Sequence, residues 1–166
     1  MDAAYDASQW GNFALAVAGA TAALAGLLVV AISINVREIL AGPHLPARAG
    51  SALIYVTSPL VPAILVLVPD QSADALGFEL LALGVVLGVV LIPLNSPFHL
   101  QPQRTRASWV SSSAIPVTLI VVPTILAGIG MVVEALGGLY WLPVAVLGAI
   151  VGGLGQAWVL LIEILR

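Results

Sequence analysis

The sequence predicts an all-α, polytopic membrane bundle of five spanning helices, with the N-terminus outside and the C-terminus inside. Three observations lead there. Hydrophobic residues make up 61% of the 166-residue chain and charged residues 8%, against about 25% charge in a soluble domain. Five apolar runs each reach the ~20 residues that a spanning helix needs. The five basic residues, Arg37, Arg48, Arg104, Arg106 and Arg166, all fall on one side when the chain is threaded through those five runs. Cytoplasmic connections collect Lys and Arg, so one pattern sets span count and orientation together.

The first run lies near 12–36, and Gly42-Pro43-His44-Leu45-Pro46 breaks the chain after it. The second lies near 50–68 and turns at Pro69-Asp70-Gln71-Ser72, and the third lies near 75–94. The connection from Pro93 to Pro102 is the longest. The fourth run, near 108–133, closes at Gly137-Gly138, and the fifth occupies 140–165. Backbone amides have no water to bond in hydrocarbon, so these runs are helices. The whole of 1–166 reads as a single transmembrane domain. Trp10, Tyr140 and Trp141 fall at expected outer interfaces, and Trp109 and Trp158 near inner ones. The first residues lack a basic stretch, so a cleaved signal peptide is not expected.

Within the spans, small and polar residues are patterned. The first span carries Asn12, Gly19, Gly26 and Ser33 at a constant seven-residue spacing, with Ala16, Ala23 and Val30 on the same side. Seven residues make nearly two turns, so these form one stripe, expected to line a pore or an interface. The third span has Gly84-x-x-x-Gly88 and the fifth has Gly148-x-x-x-Gly152, followed by Gly155. Small residues let backbones approach where lipid gives helices no other reason to associate. For any single pair of this kind, packing inside one subunit is the expected use. Pro59, Pro62, Pro116 and Pro123 are expected to bend the second and fourth spans, with Thr57, Ser58, Thr118 and Thr124 bonding the freed carbonyls.

No ionisable side chain is central in a span, where one costs about 2.5–3.5 kcal/mol on insertion scales. Gln156 and Glu163 are the intramembrane polar candidates, seven residues apart on one face; Glu163 can snorkel or pair with Arg37 or Arg166. Asn35 is expected to close the inner end of the first helix. Asp70, Asp74 and Glu79 would form an acidic outer mouth, in company with Asp2, Asp6 and Glu134. His44 and His99 sit among arginines in inner connections. The chain has no Cys, no HExxH, no DxxD-type carboxylate cluster and no serine with a paired base. No enzyme activity, catalytic residue, metal site or cofactor is therefore expected. A net charge of -3 without a basic cluster argues against nucleic acid.

The segments Gly11–Ala20, Ser33–Leu40, Gly138–Trp141 and Ala157–Ile164 resemble a group of small integral membrane proteins of actinobacterial type. That resemblance implies a bacterial plasma membrane and carries no activity with it. A looser similarity is to the Orai calcium channels, which also build a multimeric pore from a first helix rich in small residues. The acidic residue expected near the outer end of that helix is absent here, so the likeness is architectural only. Two functions remain open. One is an oligomeric channel for monovalent or divalent cations with the first span lining the axis. The other is a non-enzymatic accessory or scaffold protein that binds a larger membrane partner through its glycine faces. Both are embedded among membrane lipids, and a homo-oligomer is expected.

Overall fold

The computed structural model describes residues 3–43, 45–95 and 110–164. Asp2, His44, His99, Arg104, Arg106, Trp109, Arg166 and the side chain of Glu163 lie outside the described residues. The described chain is helical. α1 (Gly11–Ile34) follows a 3-10 turn at Ala7–Trp10, and a short α2 (Val36–Ala41) comes after it. α3 (Leu45–Thr57) and α4 (Leu60–Val66) share the second span, and α5 (Ala73–Leu94) is the third. α6 (Ile115–Val133) grows out of a π turn at Val110–Ala114, and α7 (Trp141–Ile164) out of a 3-10 turn at Gly138–Tyr140. Five segments, 7–34, 45–66, 73–94, 115–133 and 138–162, are long and apolar enough to cross a membrane. The molecule is thus an all-helical bundle of membrane-protein character, with Arg37 and Arg48 at one end and Asp6, Asp70, Asp74 and Glu134 at the other.

Local chemistry sets the ends. The Ser72 hydroxyl accepts the Ala75 amide at 3.2 Å and starts α5. Asn35 closes α1, its side-chain amide donating to the Ala31 carbonyl at 2.8 Å. Glu134 leaves α6 with φ +50°, and Gly137 and Gly138 continue with positive φ. A side chain at Gly138 would run into the Ala4 carbonyl oxygen, which accepts the Leu139 amide at 2.9 Å.

Pro59 and Pro123 act as expected, whereas Pro62 and Pro116 fall in the first turns of α4 and α6. Pro59 splits the second span into α3 and α4; it has no N–H for the Tyr55 carbonyl, and the Ser58 hydroxyl donates to that oxygen instead at 2.9 Å. Pro123 lies inside α6, beside Thr124, whose hydroxyl bonds the Ile120 carbonyl at 2.7 Å. Pro116 stands in the first turn of α6 rather than in its interior, just after the π turn at Val110–Ala114. Pro46 likewise falls in the first turn of α3, where a missing N–H costs nothing. The second span therefore begins at Leu45, a turn or more before the expected position near 50. Arg48 is carried from the connection into the helix, where it is only 7% exposed.

Glycines decide the packing. α5 and α6 approach backbone to backbone at Gly77 and Gly128, and Gly84 receives Ile125. α6 meets α7 where Gly148 faces Leu119 and Gly152 faces Pro116, and α7 meets α3 where Gly153 faces Val56. α1 lies on the second span, with Trp10, Ala14 and Val17 against Ala63 and Val66, and Leu28 against Ala52 and Val56. It is the least covered span: 17% of its most apolar stretch is buried, against 39–56% in the other four.

Candidate functional site

The stripe on α1 faces away from the bundle. Asn12, Gly19, Gly26 and Ser33 are all exposed, as are Ala16, Ala23 and Val30 between them. A Cβ built on Gly19 or Gly26 meets nothing within 4 Å. The opposite face of α1 holds the contacts, including Thr21, fully buried with its hydroxyl on the Val17 carbonyl at 2.7 Å. Gly84, Gly88, Gly148 and Gly152 are spent inside the subunit, whereas Gly19 and Gly26 are not. Exposed glycine costs a helix about 1 kcal/mol relative to alanine in water, and no contact inside the subunit makes use of Gly19 or Gly26. The Ser33 hydroxyl is committed to the Val29 carbonyl at 2.7 Å.

Acidic groups surround the start of α1. A concavity of about 470 Å³ is lined by Tyr5, Asp6 and Gly11 on one side and by Asp70, Gln71 and Ala73 on the other. Asp70 turns the chain with φ +55°, a conformation that Asp tolerates better than most residues. Asp74 is exposed in the first turn of α5, where a helix favours negative charge. Glu79 is exposed one turn further and accepts from the Gln71 amide at 2.6 Å. The fold brings Asp6 into this group beside Asp70. Sequence reasoning had Asp6 only as one of several unopposed acids, because the strap that positions it is held by contacts far away in the chain. The Trp10 indole donates to the Ala3 carbonyl at 2.7 Å, and the Tyr5 hydroxyl accepts the Gly137 amide at 3.3 Å. Trp10 is accordingly buried between Phe13 and Tyr140 rather than lying at a lipid interface.

Among the described residues outside the spans, Asp6 has the one well-defined electrostatic perturbation. The Ser8 hydroxyl at 2.6 Å, the Gln9 amide at 3.1 Å and the Ser8 backbone amide at 3.1 Å all donate to it and hold its carboxyl below the usual 3.8. These bonds favour the ionised form. Their contribution is present above pH 3.8 and is lost as pH falls through the lower folded value. A carbon-detected NMR titration should find the Asp6 midpoint below 3.8, and Ser8→Ala should raise it; an unmoved midpoint would show that Ser8 does not set it.

At the arginine end lies a polar set that the sequence did not single out as a group. Arg48 and Ser51 on α3, Asn95 closing α5, Ser113 before α6 and Gln156 on α7 are each at most 7% exposed. Gln156, an intramembrane polar candidate from the sequence, is buried, and Arg48 is its equal. The signal for Arg48 was Pro46, a helix-start residue two positions upstream. The Tyr55 side chain is fully buried above this set, and its hydroxyl has no hydrogen bond among the described residues. Also among the described residues, no three His, Asp or Glu side chains are placed to hold a metal ion. No family model, no curated protein and no solved structure matches the chain.

Proposed function

We propose that the protein is a homo-oligomeric channel for cations in a bacterial plasma membrane, with the α1 helices of several copies around its axis. The observation that carries this reading is the open, small-residue face of α1, where Gly19 and Gly26 have no partner inside the subunit along a stripe that runs the length of the span. The N-terminus is outside and the C-terminus inside, because Arg37 and Arg48 share one end of the bundle and arginines stay on the cytoplasmic side. The acidic end is then external. Asp6 and Asp70 line the concavity beside the start of α1, where the mouth of an α1-lined axis would open, and Asp74 and Glu79 stand at the same end of the bundle on α5; together they would attract cations there.

A second reading, an accessory protein that docks α1 on a larger membrane partner, is supported by a specific feature. Between Asn12 and Ser33 the stripe is wholly apolar, and the Ser33 hydroxyl is already bonded. Planar-bilayer recording of the reconstituted protein separates the two. The channel reading expects a cation current that falls when Asp70, Asp74 and Glu79 are neutralised together. The fall should be larger at low salt, because such attraction is screened beyond about 8 Å at physiological ionic strength. A silent bilayer from intact oligomer would leave the accessory reading in its place.

A further inference from the structure

Among the described residues Tyr55 is the largest side chain that is fully buried, and its hydroxyl forms no hydrogen bond. Its ring belongs to an apolar layer with Leu91 of α5, Val117 of α6 and Ala149 of α7. Gly152 of α7 lies against the same ring, since a Cβ there would stand 3.5 Å from Tyr55 Cδ2. One turn toward the arginine end, each of these helices changes to a polar residue. Ser51 lies four positions from Tyr55, Asn95 four from Leu91, Ser113 four from Val117 and Gln156 four from Gly152. All four are buried. Four residues are close to one helical turn, so these side chains make one polar layer under the apolar one. Gln156 also lines a side cleft of about 600 Å³ between α6 and α7, whose remaining lining is apolar, so on that side the layer ends at hydrocarbon.

The Tyr55 hydroxyl is aimed into the polar layer. A helical side chain leans toward the N-terminus of its own helix, and α3 starts at the arginine end. The hydroxyl thus reaches the depth of Ser51, Asn95, Ser113 and Gln156, yet bonds none of them. A buried hydroxyl left without a partner is costly, and nearly all such groups in folded proteins are paired. Polar groups that share a depth but stand beyond direct bonding range are the arrangement that a bridging water completes. Lipid supplies no partner here, because Tyr55 has no exposed surface. Ser51 and Ser113 are at most 3% exposed, a degree of closure that suits a molecule the size of water and not a larger solute.

We propose that this layer, at the arginine end of α3, α5, α6 and α7, is an internal water site in which water bonds the Tyr55 hydroxyl and bridges it to the polar side chains around it. Tyr55 then ends the wet part of the core, since beyond it Leu80, Met131 and Leu139 are fully buried and apolar. The site depends neither on conduction nor on α1 assembly. The test is water-edited solid-state NMR on the full chain in phosphatidylcholine bilayers with 13C-labelled tyrosine. The chain has three tyrosines, Tyr5, Tyr55 and Tyr140, and Tyr55→Phe identifies the signal of interest. Tyr140 is exposed and serves as the wet reference. Magnetisation from water should reach Tyr55 Cζ at a rate within about threefold of Tyr140 Cζ, because an ordered water sits against the hydroxyl. Ser51→Val, which puts methyls into the layer, should slow transfer to Tyr55 at least about threefold and leave Tyr140 unchanged. The proposal is overturned if Tyr55 in the wild-type protein receives no transfer at mixing times that saturate Tyr140. It is also overturned if folded Ser51→Val leaves the Tyr55 rate as it was, which would place the water outside the layer.

Discussion

Replacing Gly128 with leucine should leave no folded bundle to purify. A Cβ at that position would lie 2.7 Å from the Leu81 amide nitrogen, 2.7 Å from Leu81 Cγ and 2.8 Å from the Gly77 carbonyl oxygen. Two of those three atoms are main chain and cannot rotate away. The contact is reciprocal, since a Cβ at Gly77 would stand 3.1 Å from the Gly128 carbonyl oxygen. α5 and α6 would have to separate along a seam that buries Leu76, Leu80, Ala127 and Met131. Overpacking costs about 1–3 kcal/mol where side chains can adjust and more where they cannot. A whole domain holds only about 5–15 kcal/mol of stability. Gly128→Leu should therefore elute as aggregate in mild detergent, and Gly128→Ala should fold with a lowered thermal midpoint. A monodisperse Gly128→Leu with the wild-type midpoint would mean that the α5–α6 seam is not packed as described.

The spans were legible because hydrocarbon leaves a backbone one solution, and length and composition report it directly. The fate of each glycine was not. Gly84-x-x-x-Gly88 and Gly19 with Gly26 look alike as sequence, yet Gly84 receives Ile125 inside the subunit and Gly26 receives nothing. Which side of a helix meets its neighbours depends on the rotation of the whole helix, and a uniformly apolar span carries no amphipathic signal to set it. The same limit hid the cleft between α6 and α7, which is formed by two helices read separately. Arg48 lies in a helix for a local reason: Pro43 and Pro46 read as one break in the sequence, yet Pro46 opens α3. Trp10 looked like an interface anchor, since nothing nearby in sequence foretells that Tyr5 and Ala4 will bond Gly137 and Leu139.

Gly26→Leu should have the opposite phenotype to Gly128→Leu: an intact fold and a smaller assembly. The added side chain has no atom of its own subunit within 4 Å of its Cβ, so the thermal midpoint of the monomer should not fall. Leucine is the better helix former, which acts in the same direction. Between subunits the same atoms would hold two α1 backbones apart along the Asn12–Ser33 face. Loss of that approach should weaken association at least tenfold, about 1.4 kcal/mol, and native mass spectrometry should show lower oligomers; Gly19→Leu should behave alike. Gly26→Ser provides the complementary result. Serine is small enough to keep the packing and polar enough to hold water in the apolar stretch between Asn12 and Ser33, so it should keep the oligomer and raise basal current if that stretch closes by dewetting. An unchanged oligomer in both leucine variants would place the stripe against lipid and remove the support for α1 assembly. Lower oligomers in Gly19→Leu and Gly26→Leu, with no current from wild type or Gly26→Ser, would keep α1 as a docking face and end the case for conduction.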